Sequence, residues 1–477
     1  MSKINDETHK HEIETTRKAS RIIYAVAAAI GIFVSISTSQ AQTPRHDFSQ
    51  LDAVVQQELK DRNTPGAAIA IVEGDRVIYT KAYGAASVET GAPVTPEMLF
   101  RLGSTTKMFT AIALVNLAAQ GRIKLDEPIG NYAKGLHPNL ARITTHQLIS
   151  NTGGMADIEA PVSQDDEALA KMVRGWNDSV RFAEPGQIYS YSSAGFWLSG
   201  FLIEEITKKP YADAMAELVF QPLGMDRTTL RPLVAITYPL AMGHSVSGKE
   251  LAKVIRPAYN NVAQWPAGSI YSNIGELSRF VIAMLNSGKV DGKQAIPADV
   301  VAKMHGKYTP MPGDPDAGYG YGLLNFPYRG VRVLMHGGFS RGYGSMIQMM
   351  PDQKWGVIVV SNRSGETMPR SRNKAIEMFV KLNPETPEPA KAAMPLSSED
   401  MARFAGKYVN GTQTWEVVIK DGKLIYKQPD GDLALSKTAA NRLSFGSSLE
   451  NDLIFMAGQN GEMDYVFDGL YSAKKAR

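Results

Sequence analysis

None of the 477 residues is cysteine. That absence excludes disulfides, thiolate nucleophiles and cysteine-held zinc or iron–sulfur centres, so any nucleophile here is an oxygen or a nitrogen. Excess charge of either sign is missing as well: 51 Lys and Arg stand against 48 Asp and Glu, a formal charge of +3. With no basic stripe to neutralise phosphates, nucleic acid is not an expected partner. Metal-ligand spacing is lacking too. His137 and His146 are far apart, and neither has a partner at i+3 or i+4, so no metal and no cofactor is expected. Asp126-Glu127, followed by Pro128, reads as a helix-end loop and not as an acid/base couple. What the chain does have is 44% hydrophobic residues, enough for globular cores, at a length that suggests two or three domains.

Residues 1–41 read as an export signal. Arg17, Lys18 and Arg21 precede an apolar run from Ile22 to Ile36, and Ser39-Gln40-Ala41 forms a small-x-small cleavage pattern. The run is about 15 residues, short of the ~20 that a spanning helix needs, so cleavage after Ala41 is favoured over an uncleaved anchor. An exported protein, periplasmic or secreted and without a lasting membrane span, follows.

Beyond the signal, Gly66 to Glu73 and Arg76 to Tyr83 flank the turn Gly74-Asp75, the pattern of a β-hairpin. A second hairpin, Gly344 to Met350 and Trp355 to Asn362 around Pro351-Asp352, precedes a helical pattern from Ser371 to Leu382. Strands at both ends with helical sequence between them predict an α+β domain over 44–382, an antiparallel sheet flanked by helices with a helical lobe inserted. A proline-rich linker, 383–398, follows. From 399 to 477 the sequence changes to short alternating runs such as Trp415 to Lys420, Lys423 to Lys427 and Leu453 to Ala457. Asp421-Gly422, Asp430-Gly431 and Asn460-Gly461 punctuate them, which predicts a small all-β barrel or sandwich.

A serine hydroxyl is a weak nucleophile unless a base lies within hydrogen-bond reach. Gly103-Ser104-Thr105-Thr106-Lys107 supplies one: Met108 to Gln120 is apolar nearly all round and stops at Gly121, the pattern of a buried helix. Ser104 and Lys107 are one turn apart at its start. Burial there drives the lysine towards its neutral form, and the helix N-terminus favours an anion on the serine. Two other Ser-x-x-Lys matches, Ser371 to Lys374 and Ser472 to Lys475, fall in charged surface sequence where neither lysine would be desolvated.

Phe100 to Lys107 (FRLGSTTK) resembles the acylation segment of the serine β-lactamase and D,D-peptidase superfamily, which includes an esterase branch. Other segments agree in order. Leu148 to Met155 is similar to the family's Leu-Leu-x-His-Thr-Ser-Gly stretch, with Asn151 and Gly153 departing from it. Pro185-Gly186 followed by Tyr191-Ser192-Ser193 resembles its Pro-Gly … Tyr-Ser-Asn element. Pro222 to Met225 and Pro266-Ala267-Gly268 with Tyr271-Ser272 match two further landmarks, and His336-Gly337-Gly338 stands where the family has Lys-Thr-Gly or His-x-Gly. The resemblance covers most of Asp47 to Leu382, and the C-terminal part resembles the lipocalin-like modules appended to some relatives.

The resemblance implies that Ser104 is acylated and that Tyr191 is a second base, held towards phenolate by Lys107. Tyr271-Ser272-Asn273 is a literal rival for the tyrosine segment, but it follows Pro-Ala-Gly and belongs to a different landmark. The oxyanion donors would be the amides of Ser104 and Phe339. His336, placed after the apolar run Val331 to Met335, would edge the site, either neutral or charged, with Gly337 and Gly338 allowing close approach to a ligand. Ser193 occupies the usual asparagine position, and a hydroxyl cannot present an amide fork to a substrate carbonyl. A peptidase or esterase is therefore expected before a β-lactamase, acting on a small-molecule or peptide substrate of possible cell-wall origin. A non-catalytic binding or sensor protein of the same fold is the alternative. Gly338 to Gly342 also matches a nucleophile elbow around Ser340, but every histidine precedes Ser340, whereas an α/β-hydrolase needs one after it. Exported material is expected to begin at Gln42 on N-terminal sequencing; an exported chain that keeps residues 22–36 would mark an anchor.

Overall fold

Gly66–Glu73 is buried at every position but its last, and Trp355–Ser361 is buried throughout. Such continuous burial, in place of alternation, belongs to strands covered on both faces. The two pair side by side as the second and third strands of an eight-stranded antiparallel sheet. Its order is Arg76–Gly84, Gly66–Glu73, Trp355–Ser361, Tyr343–Met350, Val331–Ser340, Leu324–Tyr328, Asp314–Tyr319 and Thr309–Met311. The sheet thus draws on both ends of the segment, as expected, and most of the intervening chain is helical. The computed structural model describes residues 46–248, 250–386, 392–446, 452–458 and 461–476. The expected export signal, part of the linker and Asn460 lie outside the described residues.

Helix Ile274–Leu285 packs on Gly66–Glu73 and Trp355–Ser361. Helix Pro369–Phe379, which starts earlier and ends sooner than the sequence pattern suggested, is capped by a buried acid. Glu58, on helix Ser49–Asp61, accepts from the amides of Arg370 and Ser371 at 3.0 and 2.8 Å and from the Ser371 hydroxyl at 2.6 Å. A carboxylate at a helix N-terminus satisfies donors that have no intrahelical acceptor.

The helical lobe is built around Thr106–Ala119, buried continuously from Thr106 to Leu117. A 3-10 turn, Gly103–Thr105, leads into it. Its neighbours are Trp265–Gly268 and Ser193–Thr207, the latter buried from Ala194 to Ile203. Gly200 allows that contact: a Cβ there would lie 2.1 Å from Pro266 Cγ. Among the described residues no helix is long and apolar enough to cross a membrane.

The C-terminal region forms a nine-stranded antiparallel sheet whose edge strands are Leu433–Ala434 and Ser436–Ala439. Only Leu435 separates those edges in the chain, so the sheet curls into a nearly closed barrel. Trp415, Leu424, Phe455 and Val466 fill it, with Phe404 inserted from helix Ser398–Phe404. Asp421 and Gly422 both have left-handed φ, 52° and 72°, the geometry of the two-residue hairpin turn that Asp-Gly favours.

Gly200→Ala sets two effects against each other. Alanine gains up to ~1 kcal/mol of helix propensity, while overpacking against a rigid proline ring costs about 1–3 kcal/mol. Net destabilisation of about 1–2 kcal/mol in urea unfolding is expected; unchanged or raised stability would show that the Pro266 contact relaxes freely.

Candidate active site

The turn carrying Ser104 is pressed against the sheet. Gly103 is left-handed (φ 57°), and a Cβ on it would meet the main chain of Phe339, with the carbonyl oxygen at 2.4 Å and the nitrogen at 2.8 Å. Gly338 is equally constrained, since a Cβ there would lie 1.8 Å from the Leu102 carbonyl. The glycines after His336 were expected to admit a ligand; both line the cavity at Ser104, and Gly338 also admits the segment that bears Ser104. Side chains fasten the contact: Ser345 Oγ donates to Leu102 O at 2.6 Å and lies 2.7 Å from Thr105 Oγ1.

Phe339 closes this seam. Strands Val331–Ser340 and Tyr343–Met350 are joined by a two-residue turn, and Ser340 pairs with Tyr343. Hydrogen-bonded and non-hydrogen-bonded pairs alternate from that closing pair, so the Phe339 amide faces away from its partner strand. On that other side the neighbouring strand has already ended, its last pair being Leu324 with Met335. The Phe339 amide therefore faces the Ser104 turn. Ser340 sits in a β-hairpin, not in a strand-to-helix elbow.

Lys107 is fully buried. Its Nζ donates to Ser104 Oγ at 3.3 Å, to Ser193 Oγ at 3.3 Å and to the Ala267 carbonyl at 2.9 Å. It also lies over the rings of Tyr191 and Phe196, at 4.8 and 5.6 Å from their centroids. Burial drives the amine down to about 7, with distant Asp157 opposing only weakly. Near neutrality Lys107 is thus an amine as much as an ammonium, and its lone pair can take the Ser104 proton.

Tyr191 stands beside this pair, as expected, but in the other ionisation state. Burial pushes its phenol well above the usual tyrosine range, and hydrogen bonding with Ser104 only partly offsets this. The resting group is a phenol; a half-neutral lysine is too weak a cation to hold a phenolate. Tyr271 lies elsewhere, paired with Arg101 in a short two-stranded ladder.

His336 is inside the strand Val331–Ser340, not at its end, and is 4% exposed. Its Nδ1 lies 2.7 Å from Gly337 O and its Nε2 3.2 Å from the Tyr319 hydroxyl. Burial first, and Lys107 second, hold its pKa down to about 3, so the ring is neutral. Of the other histidines considered, His137 caps a short helix and His146 lies 2.9 Å from the Tyr321 hydroxyl. No metal-holding cluster occurs among the described residues.

Two cavities meet at the serine, sharing Ser104, Ser193 and Phe339. The larger, 490 Å³, is lined by Tyr191, Tyr319, His336, Gly337 and Gly338, and by Leu470 and Tyr471 from the barrel. The smaller, 330 Å³, is lined by Trp197 and Gly268 and by two arginines, Arg101 and Arg341. The barrel loop is stitched to the segment before Tyr191. Tyr191 N donates to Leu470 O at 3.1 Å, Ser472 Oγ donates to Tyr189 O at 2.6 Å, and Asn410 Nδ2 donates to Ser190 Oγ at 3.2 Å. Sequence reasoning missed Arg101, Arg341, Tyr319, Leu470 and Tyr471. Only Arg101, inside the acylation-like segment, carried a local signal.

A serine hydroxyl, a buried amine of lowered pKa and a facing main-chain amide thus meet at one point. A beta-lactamase family model matches residues 51–381, and the chain belongs to that family. Protein flp of Staphylococcus aureus strain MW2 is 26% identical over 333 residues, which cover 67% of this chain and 64% of flp. The chain thus spans less than two thirds of the length of that relative. Penicillin-binding protein 4 of Amycolatopsis lactamdurans is 28% identical over 312 residues, 61% of this chain and 79% of that protein. Among solved structures, SurE superposes with a TM-score of 0.72 at 22% identity, over 90% of this chain and 98% of its own. An octameric penicillin-binding protein homologue from Pyrococcus abyssi gives 0.63 at 23% identity, over 90% and 100%. These two likenesses are of fold, and they cover more than residues 51–381 supply, so they extend into the barrel.

The Lys107 shift has a sign that stability can read. The folded amine titrates near 7 and the ordinary one at 10.5. Between those values the unfolded chain holds a proton that the folded chain lacks, so stability rises with pH across the window and is lost as pH falls towards 7. The slope is up to ~1.4 kcal/mol per pH unit. Lys107→Met is expected to remove it, read as the difference between wild-type and variant urea unfolding from pH 7 to 10. Parallel curves would mean that the amine is charged in the fold.

Proposed function

We propose that the protein is an exported serine hydrolase of the peptidase or esterase type, working through an acyl-enzyme on Ser104. The observation that carries this reading is the Lys107 Nζ, 3.3 Å from Ser104 Oγ and held down to about 7 by burial. As Oγ bonds to the substrate carbonyl carbon, its proton passes to the neutral Lys107 amine, and the carbonyl π pair moves to oxygen. The amides of Ser104 and Phe339 hold that oxyanion; such donors stabilise it by about 3 kcal/mol each. Collapse expels the leaving group, which takes the Tyr191 phenol proton, and the Lys107 ammonium restores it. Water then attacks the ester by the same route in reverse and frees the acid.

The leaving-group side supports an ester or amide over a β-lactam. Its 490 Å³ cavity is lined by tyrosines, His336 and backbone, with no formally charged side chain. Neutral His336 stands where the family resemblance puts Lys-Thr-Gly or His-x-Gly, a departure from the pattern typical of β-lactamases. Ser193 has its oxygen engaged by Lys107 and offers no amide. D-Amino-acid derivatives belong among the substrates to try, because SurE has been solved with D-Leu. Export is supported by the basic-then-apolar pattern of residues 17–36 and the Ser39-Gln40-Ala41 site.

A p-nitrophenyl ester, a D-leucyl anilide and a chromogenic cephalosporin, assayed in parallel, test the proposal. Steady ester or anilide hydrolysis is expected, with an acyl adduct on Ser104 by mass spectrometry. Ser104→Ala should lower kcat/KM by about 10³-fold or more, and Tyr191→Phe by about 10²-fold or more. A stoichiometric burst without turnover would indicate a sensor, and full activity in Ser104→Ala would refute the assignment.

A further inference from the structure

The 330 Å³ cavity beside Ser104 carries charge of one sign. Arg101 and Arg341 line it, and no acidic side chain does. Arg101 is 4% exposed, with its guanidinium 5.4 and 6.0 Å from the ring centroids of Tyr259 and Tyr271. Its terminal nitrogens donate to Tyr259 O at 2.6 Å and to Ser269 Oγ at 2.8 Å. Among the described residues no carboxylate pairs with it, and its Nε–H has no acceptor. The comparably buried Arg372 differs, since Glu58 and Glu366 act on it electrostatically. A buried cation without a counter-ion is unfavourable unless a ligand supplies one. A second orphan donor shares the cavity: Trp197, also 4% exposed, lines it, and its indole N–H has no acceptor. Arg341, at the exposed hairpin turn, makes no ion pair among the described residues.

Which part of a substrate lies here follows from Tyr191, which lines the larger cavity and not this one. On the proposed mechanism, on which this step rests, Tyr191 protonates the leaving group, so the retained acyl portion occupies the arginine side. We infer that this cavity is a subsite for an acyl group bearing a second carboxylate, held between buried Arg101 and exposed Arg341. The guanidinium fork suits the planar, two-oxygen geometry of a carboxylate. The substrates are then half-esters or half-amides of dicarboxylic acids, and hydrolysis releases the dicarboxylate with an alcohol or, from an amide, an amine that takes up a proton.

Two esters with the same leaving group test this: p-nitrophenyl glutarate, with its free carboxylate, and p-nitrophenyl pentanoate, without one. The wild type is expected to favour the glutarate in kcat/KM by about tenfold or more, and added salt should shrink the ratio. Arg341→Glu and Arg101→Gln should abolish the preference. Lys420→Glu, the same charge reversal on an exposed barrel strand, should keep it. Arg341 is exposed, so its variant folds even if loss of Arg101 does not permit folding. A wild-type ratio at or below one, or a preference that survives Arg341→Glu, overturns the subsite.

Equilibrium binding to Ser104→Ala reads the same subsite without turnover. Tighter binding of the glutarate ester, lost when Arg341→Glu is added, supports it. Equal binding of the two esters overturns it even if Ser104 hydrolyses both. Selective binding by a protein whose Ser104 never acylates overturns the hydrolase reading and leaves the anion subsite standing.

Discussion

A lysine amine taken out of water must lose its charge, find a counter-ion or be surrounded by dipoles. Among the described residues Lys107 has no carboxylate beside it, only two hydroxyls, one carbonyl and two ring faces. Desolvating an ammonium costs several kcal/mol, and these neighbours recover only part of it, so the proton becomes loosely held. Much of the surrounding architecture preserves that imbalance. The helix Thr106–Ala119 is buried on nearly every side, and Ser193 supplies a hydroxyl where a carboxylate would fix the charge.

The second constraint is steric. The serine turn and the strand Val331–Ser340 come from distant parts of the chain, and two glycines let their backbones touch. At Gly103 and Gly338 even a methyl group would overlap main-chain atoms, so the positions of the Ser104 hydroxyl and the Phe339 amide are set by backbone packing and not by flexible side chains. His336 belongs to the same seam. With its basicity suppressed, it neither competes for the lysine's proton nor adds a cation to the larger cavity.

Much of this was legible in the sequence because it is local. The hairpin Gly66 to Gly84, the buried helix after Ser104 and the Asp421-Gly422 turn each follow from periodicity or turn chemistry within a few residues. The Ser104 to Lys107 spacing likewise announced its own contact. What depends on distant chain was not legible. The ionisation of Tyr191 is governed by how much of the molecule surrounds it, so the expectation of a phenolate failed. Arg101 looked like one more residue of a motif until its surroundings proved to lack an acid. Leu470 and Tyr471 had no signal at all, because their role arises only where the barrel meets the strap before Tyr191.

That meeting separates two kinds of change. The tip Asp468–Tyr471 is held from within the barrel, with Asp468 Oδ1 accepting the amides of Leu470 and Tyr471 and Asp468 Oδ2 accepting from Trp415 Nε1. Its shape is therefore maintained by a core that shares nothing with the buried amine. Replacement of Leu470 remodels one wall of the larger cavity without reaching the groups that hold Lys107, whereas Tyr471 also packs edge-on against the Tyr191 ring. The barrel thus supplies a piece of the cavity wall, at Leu470, whose shape can change from the barrel side alone.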